Sequence, residues 1–354
     1  MTFSTQTGSL PEPAVRRYQL RQRRKFRLAL IFLVLSVIGA FCFWHPSILQ
    51  SKGSHDIEKM YLSLFQHMVL NDIYEPEPYK NDGHHWKPED RMLTMIGKRR
   101  LDNFELLLRA VVKAEIPGDI IETGVWRGGA SFYAAAVLVT LGQLGPRRVF
   151  LCDSFSGIPQ ANSPGQNRGM DKEAHLLQTE VGVSEQLVLS TGLALGLPLG
   201  VDVDSIVRLV PGFFNVSLTK LTAEHTDLTF SVVRLDGDTY FSTMESLEAL
   251  YSRLNIGGFV IIDDYLDWHT CREAVEDFRS LKGIADPIVI IEHRKGDILR
   301  GVYWRKSSHP CELFDGATSL LQLTDHVETD MYNWPVDHSN FTNRLHRCVN
   351  QKMT

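Results

Sequence analysis

Acidic residues stand at the ends of four short apolar runs in the middle of the chain. They are Glu122, Asp153, Asp236 and the pair Asp263-Asp264. A carboxylate at a strand end can accept hydrogen bonds from a ribose or an amine, and clustered carboxylates supply the hard oxygen ligands that Mg²⁺ prefers. An isolated Asp would more simply cap a helix, but four acidic strand ends in register favour a role in ligand binding or catalysis. We therefore predict that Glu122 and Asp153 face a bound nucleoside, and that Asp236, Asp263 and Asp264 hold a metal ion.

A glycine-rich turn follows the first of these acids. The segment reads Gly118-Asp119-Ile120-Ile121-Glu122-Thr123-Gly124-Val125-Trp126-Arg127-Gly128-Gly129, and the residues from Ala130 to Val139 are typical of a helix. Glycines at a strand-to-helix turn let the backbone approach a ligand closely. Alone this turn is a weak indication of a nucleotide site, and the later acidic strand ends strengthen it.

Strands and helices alternate around these residues. Two helices are predicted before the first strand, over residues 56–70 and 101–114. The predicted strands cover residues 120–122, 148–152, 206–210, 231–235, 259–262, 287–292 and 301–305, and the helices between them cover residues 130–141, 244–254 and 271–281. Alternating βα units predict an α/β fold with a mostly parallel seven-stranded sheet and helices on both faces. In such sheets ligands bind outside the carboxyl ends of the strands.

The remaining segments lack this alternation. Residues 161–200 show no clear periodicity and are predicted to be a long insertion that acts as a lid or substrate loop. Breakers such as Glu75-Pro76-Glu77-Pro78 indicate a stem over residues 46–85. The sequence thus predicts a catalytic domain over residues 86–306 and a polar tail over residues 307–354 whose role stays open.

The N-terminal part of the chain resembles a membrane anchor. A basic segment, residues 1–27, precedes an apolar run from Leu28 to Trp44, which at roughly 17 residues can just span a bilayer. We predict a single transmembrane helix over residues 28–45, with the basic tail in the cytosol and the catalytic domain in the lumen of the Golgi or the endoplasmic reticulum. A cleaved signal peptide, an organelle-targeting leader and a buried core helix are the alternatives.

Further features bear on orientation and partners. The sequons Asn215-Val216-Ser217 and Asn340-Phe341-Thr342 favour a lumenal domain, where Cys311 and Cys348 could pair. The net charge of -5 gives no indication of nucleic-acid binding. A homo-oligomer is left open.

Several motifs, taken in order, resemble the macrocin O-methyltransferase family over roughly residues 90–305. They are Thr94-Met95-Ile96-Gly97, Arg100-Leu101-Asp102-Asn103, the turn from Gly118 to Ala130, Asp153-Ser154-Phe155-Ser156-Gly157-Ile158-Pro159, Leu235-Asp236-Gly237-Asp238-Thr239-Tyr240 and Ile262-Asp263-Asp264-Tyr265. Members of that family methylate sugar hydroxyls of antibiotics, using S-adenosylmethionine and Mg²⁺. The resemblance implies a Rossmann-like class I methyltransferase fold and a sugar-containing acceptor.

The resemblance also implies roles for individual residues. The cofactor would contact a covering segment, the first turn, the end of the second strand and two later positions: Thr94, Met95, Glu122, Thr123, Gly124, Val125, Trp126, Asp153, Ser154, Phe155, Gly157, Ser184 and Phe214. Asp236, Asp263 and Asp264 match the metal ligands of the family. Asp236 is the first candidate for the catalytic base and Asp238 the second, because the attacked hydroxyl needs a proton acceptor within reach. His269 is read as a polar residue at a helix start rather than as a base.

Three functions compete at this stage. The first is a membrane-anchored, lumenal O-methyltransferase that acts on a glycan, with a cytosol-facing small-molecule O-methyltransferase as its variant. The second is a Golgi glycosyltransferase that binds a nucleotide-sugar metal through Asp236-Gly237-Asp238. The third is a non-catalytic scaffold, which the presence of every acidic ligand disfavours.

Overall fold

The computed structural model describes residues 52–72, 91–159, 169–177, 181–291 and 301–307. Of the described residues, those from 52 to 61 belong to one compact unit and those from Leu62 onward to another. The helices are α1 Lys52–Leu70, α2 Gly97–Lys113, α3 Gly129–Thr140, α4 Glu185–Ala194, α5 Phe214–Glu224, α6 Tyr240–Leu250 and α7 His269–Lys282. The strands are β1 Asp119–Thr123, β2 Val149–Asp153, β3 Leu199–Gly200, β4 Val207–Pro211, β5 Phe230–Leu235, β6 Leu254–Ile262, β7 Val289–Ile290 and β8 Val302–Arg305.

The strands form one sheet in the order β3-β4-β2-β1-β5-β6-β8-β7. All neighbours are parallel except β6 with β8 and β7 with β8, which are antiparallel. These pairings confirm the predicted mostly parallel sheet. The chain moves outward from β1 through β2 to β4 and then returns to β5 on the other side of β1. In open α/β sheets a ligand crevice lies at such a switch point, outside the carboxyl ends of the strands.

Helices bury both faces of this sheet. On β1 the side chain of Ile120 belongs to the core under α2, α3 and α4, whereas that of Ile121 belongs to the core under α5, α6 and α7. Successive residues of a strand point to opposite faces, so a strand covered on both sides is mostly apolar. This is why apolar runs stand in these strands, Ile120-Ile121 in β1, Val149–Cys152 in β2 and Phe259–Ile262 in β6, and an acid follows each run.

Some predicted boundaries were wrong. The sheet has eight strands rather than seven, because β3 adds a two-residue edge strand within the segment read as an unstructured insertion. That segment also contains α4 and two 3₁₀ turns, Gly169–Lys172 and Ala174–Leu177. Helix α5 was not predicted at all. Helix α6 begins at Tyr240 rather than at residue 244, since the Thr239 hydroxyl accepts a hydrogen bond from the Ser242 backbone and caps it.

The predicted helix over residues 56–70 is confirmed as α1, and the helix over 101–114 as α2. Strand β6 begins five residues earlier than expected, at Leu254, and β7 is limited to two residues. No helix within the described ranges has the length and apolar character needed to cross a bilayer. The predicted anchor, the Asn340 sequon, Cys311 and Cys348 all lie outside the described residues.

Candidate functional site

The four acidic strand ends lie side by side at one edge of the sheet. Strands β2, β1, β5 and β6 are consecutive neighbours, and the last residues that pair among these four strands are Cys152, Thr123, Leu235 and Ile262. Glu122, Asp153, Asp236 and Asp263 therefore stand within one residue of this common row. The sheet brings the predicted nucleoside half and the predicted metal half together, on the two sides of the switch point between β1 and β5.

Three carboxylates on the β5–β6 side could hold a cation. Asp236, Asp263 and Asp264 each offer an oxygen, and these atoms lie within 4.8 Å of one another. The Oδ2 atom of Asp264 is buried and has no hydrogen-bond partner, although buried polar atoms are normally paired. An orphaned carboxylate oxygen within a set of hard oxygen donors fits a divalent ion such as Mg²⁺.

A buried arginine that the sequence analysis missed connects the two halves. Arg234, on β5, is 1% exposed, and its Nη1 atom donates to Glu122 Oε1 at 2.5 Å and to Asp236 Oδ2 at 2.8 Å. Its Nη2 atom donates to Asp263. Burial alone would lower the pKa of this guanidinium, but the neighbouring acids outweigh burial and raise it. Arg234 therefore stays charged at the centre of three carboxylates.

A second arginine reaches the same cluster from α2. Arg100 Nη1 donates to the other oxygen of Asp263. Its Nε atom donates to the backbone carbonyl of Ile96 at 2.6 Å and its Nη2 atom to that of Met95 at 3.3 Å. Asp263 is thus held by two guanidinium groups, and the predicted covering segment around Met95 is tied to the metal half.

On the nucleoside side, both acids are already engaged by the protein. Glu122 is 2% exposed, and its second oxygen accepts a hydrogen bond from Ser131 on α3. Asp153 Oδ2 accepts from the backbone N–H groups of Val125 at 2.8 Å and Trp126 at 3.2 Å. Asp153 consequently fastens the glycine-rich turn after β1 to the end of β2.

The turns at this edge have unusual backbone conformations. Positive φ angles occur at Trp126 (48°), Phe155 (53°) and Asp238 (56°), which follow β1, β2 and β5. Gly124 has φ 83°, and a Cβ added there would lie 2.6 Å from the Asp236 carbonyl carbon. Only a glycine permits so close an approach of the two turns. Such strain is commonly stored at functional sites.

The other predicted cofactor residues occupy several positions. The carbonyl of Leu93 accepts the Gly129 N–H at 2.8 Å, which places Thr94 and Met95 against the glycine-rich turn. Ser154 donates to the Gly157 carbonyl at 2.7 Å and closes the turn after β2. Phe214 begins α5 and lies beside Gly237. Thr123 is fully buried, and its hydroxyl has no partner.

Ser184 has a structural role of its own. Its exposed hydroxyl accepts the Leu187 N–H at 3.3 Å and caps the N-terminus of α4. Ser is common at the N-cap position of helices for this reason alone. The observed contact does not by itself assign Ser184 to a ligand.

Burial raises the pKa of the acids at this edge. It raises the pKa of Glu122 to about 7 and that of Asp236 to about 6, in each case against the opposing effect of Arg234. It raises the pKa of Asp238 to about 8, and the like charges of Asp236 and Asp263 add to the shift. The pKa of Asp264 is also raised, first by burial and then by Asp238. A pKa near the working pH suits a proton acceptor.

Part of the predicted insertion is fixed to this edge. Asp171, in the 3₁₀ turn Gly169–Lys172, is 4% exposed and accepts three hydrogen bonds. They come from the Tyr240 backbone N–H at 2.9 Å, from Trp268 Nε1 at 2.9 Å and from the Thr270 hydroxyl at 2.5 Å. The insertion is thereby attached to the starts of α6 and α7, which directly follow the acidic ends of β5 and β6. His269 begins α7, as the sequence predicted.

In sequence, the chain is similar to known O-methyltransferases. The family model for macrocin-O-methyltransferase (TylF) matches residues 50–306. The chain is 35% identical over 277 residues to 8-demethyl-8-(2,3-dimethoxy-alpha-L-rhamnosyl)-tetracenomycin-C 4'-O-methyltransferase of Streptomyces olivaceus, which covers 75% of this chain and 99% of that protein. It is 34% identical over 264 residues to mycinamicin III 3''-O-methyltransferase of Micromonospora griseorubida, covering 71% of this chain and 97% of the relative.

A solved structure shows the same fold. The O-methyltransferase NovP superposes with a TM-score of 0.61 at 33% identity, covering 71% of this chain and 99% of that one. The Rossmann-like methyltransferase fold predicted from the sequence is confirmed by this match.

Proposed function

The chain belongs to the macrocin O-methyltransferase family and is an S-adenosylmethionine-dependent O-methyltransferase, and on that premise we propose that it methylates a sugar hydroxyl of a glycosylated small molecule. The tetracenomycin and mycinamicin relatives are named for methylation of glycosylated natural products, and their alignments cover 75% and 71% of the chain. This supports a small-molecule acceptor more than a glycan. Membership in a methyltransferase family also removes the glycosyltransferase alternative.

The observation that carries the proposal is the common edge on which the two halves meet. We assign the cofactor to the side formed by the turns after β1 and β2, where Gly124 to Trp126, Asp153 to Phe155 and Gly157 converge with Thr94 and Met95. The acceptor hydroxyl would approach from the β5–β6 side. Methyl transfer is an in-line displacement at a sulfonium carbon, so holding the two reactants in line supplies much of the rate.

Asp236, Asp263 and Asp264 would hold a divalent ion, which supplies orientation of the acceptor hydroxyls and a lower pKa of the attacked one. The hydroxyl proton must then pass to a carboxylate. Asp236 was the first candidate, but Arg234 already holds one of its oxygens. The side chain of Asp238 has no hydrogen bond or ion pair to another described residue, so its carboxylate is available to accept the proton. We therefore propose Asp236 as a ligand and Asp238 as the base.

A lumenal glycan remains the second candidate. The basic segment over residues 1–27 and the apolar run from Leu28 to Trp44 favour this candidate. The names of the relatives give no reason for such a membrane anchor. In that case the enzyme would be a type II membrane protein of the Golgi or endoplasmic reticulum. Protease protection of the full-length protein in sealed microsomes tests this orientation: a digested catalytic domain would eliminate the lumenal assignment.

The acceptor class can be tested in cells with and without this protein. Small-molecule glycosides and released glycans are analysed by mass spectrometry for a gain of one methyl group per sugar. We expect the gain in the small-molecule fraction, and a gain confined to the glycans would reverse the choice of acceptor. In parallel, purified enzyme is titrated with S-adenosylhomocysteine, and failure to bind would contradict the assigned cofactor side.

A further inference from the structure

Glu122 lies where the sequence predicted a cofactor contact, but its surroundings indicate a different role. Both of its oxygens are used inside the protein, one by Arg234 and one by the Ser131 hydroxyl. With 2% of the residue exposed, a bound nucleoside has little of it to contact. Its main electrostatic partner is Arg234, which also holds two of the proposed cation ligands.

We propose that Glu122 is a positioning residue for the cation site, acting through Arg234, rather than a residue that binds the cofactor. This inference rests on the proposed function, because it requires a cation at Asp236, Asp263 and Asp264. Arg234 shares one positive charge among Glu122, Asp236 and Asp263. The more of that charge Glu122 neutralises, the less remains to oppose a divalent ion beside the two aspartates.

The charges of the cluster give the direction of the effect. Four carboxylates (Glu122, Asp236, Asp263 and Asp264) face two guanidinium groups, those of Arg100 and Arg234. Removal of the Glu122 charge leaves three carboxylates against the same two cations. In a buried environment this loss is poorly screened, so attraction for a divalent ion must fall. Glutamine keeps the shape and an oxygen acceptor for Arg234, so Glu122→Gln changes mainly the charge.

The test compares two ligands in one set of proteins. Full-length wild type, Glu122→Gln and Glu105→Gln are titrated at pH 8 with Mn²⁺, followed by the electron paramagnetic resonance signal of the free ion, and with S-adenosylhomocysteine, followed by calorimetry. Glu105 is a matched control, since it also pairs with one arginine (Arg109) and one hydroxyl (Tyr133) but lies on α2 outside the cluster.

We expect Glu122→Gln to weaken Mn²⁺ binding about tenfold, the order expected for loss of one buried charge, and to change S-adenosylhomocysteine binding by no more than about twofold. Glu105→Gln should match wild type in both titrations. Unchanged Mn²⁺ affinity in Glu122→Gln, or a loss confined to S-adenosylhomocysteine, overturns the inference. Absence of Mn²⁺ binding in wild type instead removes the proposed cation site itself, and this inference falls with it.

A conservative variant separates charge from packing. Glu122→Asp keeps the charge but shortens the side chain by one methylene, and it should retain Mn²⁺ affinity to within about threefold. The same variant serves if Glu122→Gln is too unstable to titrate. A tenfold loss in Glu122→Asp, with the fold intact by circular dichroism, would show that shape rather than charge matters and would overturn the inference.

Discussion

The contact between the turns after β1 and β5 can be tested with a single methyl group. At Gly124 an alanine Cβ would lie 2.6 Å from the Asp236 carbonyl carbon and closer still to its oxygen, and the backbone has φ 83°. Gly142, in the loop after α3, has a similar φ of 64° but nothing within 4 Å of the added atom. Gly142→Ala therefore measures the cost of the backbone conformation alone, whereas Gly124→Ala adds the overlap.

The expected sizes follow from these two terms. A left-handed non-glycine residue costs about 1 kcal/mol, which is the whole effect expected for Gly142→Ala. Overpacking against fixed backbone adds about 2–3 kcal/mol, so Gly124→Ala should lower the free energy of unfolding by about 3–4 kcal/mol. The overlap also forces one turn away from the other by roughly an ångström, a displacement that can cost on the order of 100-fold in turnover.

Denaturant unfolding and calorimetric titration with S-adenosylhomocysteine measure both effects. Gly124→Ala should bind this ligand at least about tenfold more weakly than wild type, and Gly142→Ala should bind it normally. Equal unfolding free energies for the two variants, with equal affinity for S-adenosylhomocysteine, would refute the claim that Gly124 is pressed against the end of β5.

Three further predictions concern the same edge of the sheet. Asp236→Asn should abolish methyl transfer from S-adenosylmethionine while leaving most of the S-adenosylhomocysteine affinity. Near-normal turnover would contradict the proposed role of Asp236 as a ligand of the divalent ion. Asp171→Asn should lower the free energy of unfolding by about 2 kcal/mol because three donors lose their charged acceptor, whereas the exposed Asp204→Asn should stay within about 0.5 kcal/mol of wild type. Because the folded-state pKa values of Asp236 and Asp238 are raised to about 6 and about 8, the folded protein binds more protons than the unfolded chain above about pH 4, and stability should fall as pH rises toward 8. Added Mn²⁺ should then raise the melting temperature more at pH 8 than at pH 6, and an equal or smaller rise at pH 8 would contradict these shifts.

Periodicity and strand-end chemistry predicted most of what positions the site. Strands buried on both faces contain short apolar runs, so β1, β2, β4, β5 and β8 were located to within about a residue. Helices α4 and α5 were missed for a physical reason. Helix α4 buries only Val188 and Gly192, and α5 buries only Ser217, Leu218 and Leu221, so their sequences carry little amphipathic pattern.

The part of the site that could not be predicted is the set of ion pairs that connects its acids. Four acidic strand ends were visible in the sequence, but which of them share a counter-ion depends on which strands are neighbours. The available signal was Arg234 itself, a charged residue inside an otherwise apolar strand, since such a residue is almost never buried unless it is paired. Arg100, by contrast, lies on a helix and reaches Asp263 only through tertiary packing.

Because three acids share the guanidinium of Arg234, this residue also limits which substitutions the site can tolerate in evolution. A neutral substitution of Arg234 alone would leave Glu122 and Asp236 without their guanidinium partner, although Arg100 would still hold Asp263, and removing one partner of a buried ion pair costs about 3–5 kcal/mol. A replacement of Arg234 should therefore be tolerated more readily when Glu122 is replaced with it than when Arg234 is replaced alone. A library that varies the two positions together should recover pairs of viable replacements that are absent when either position is varied alone.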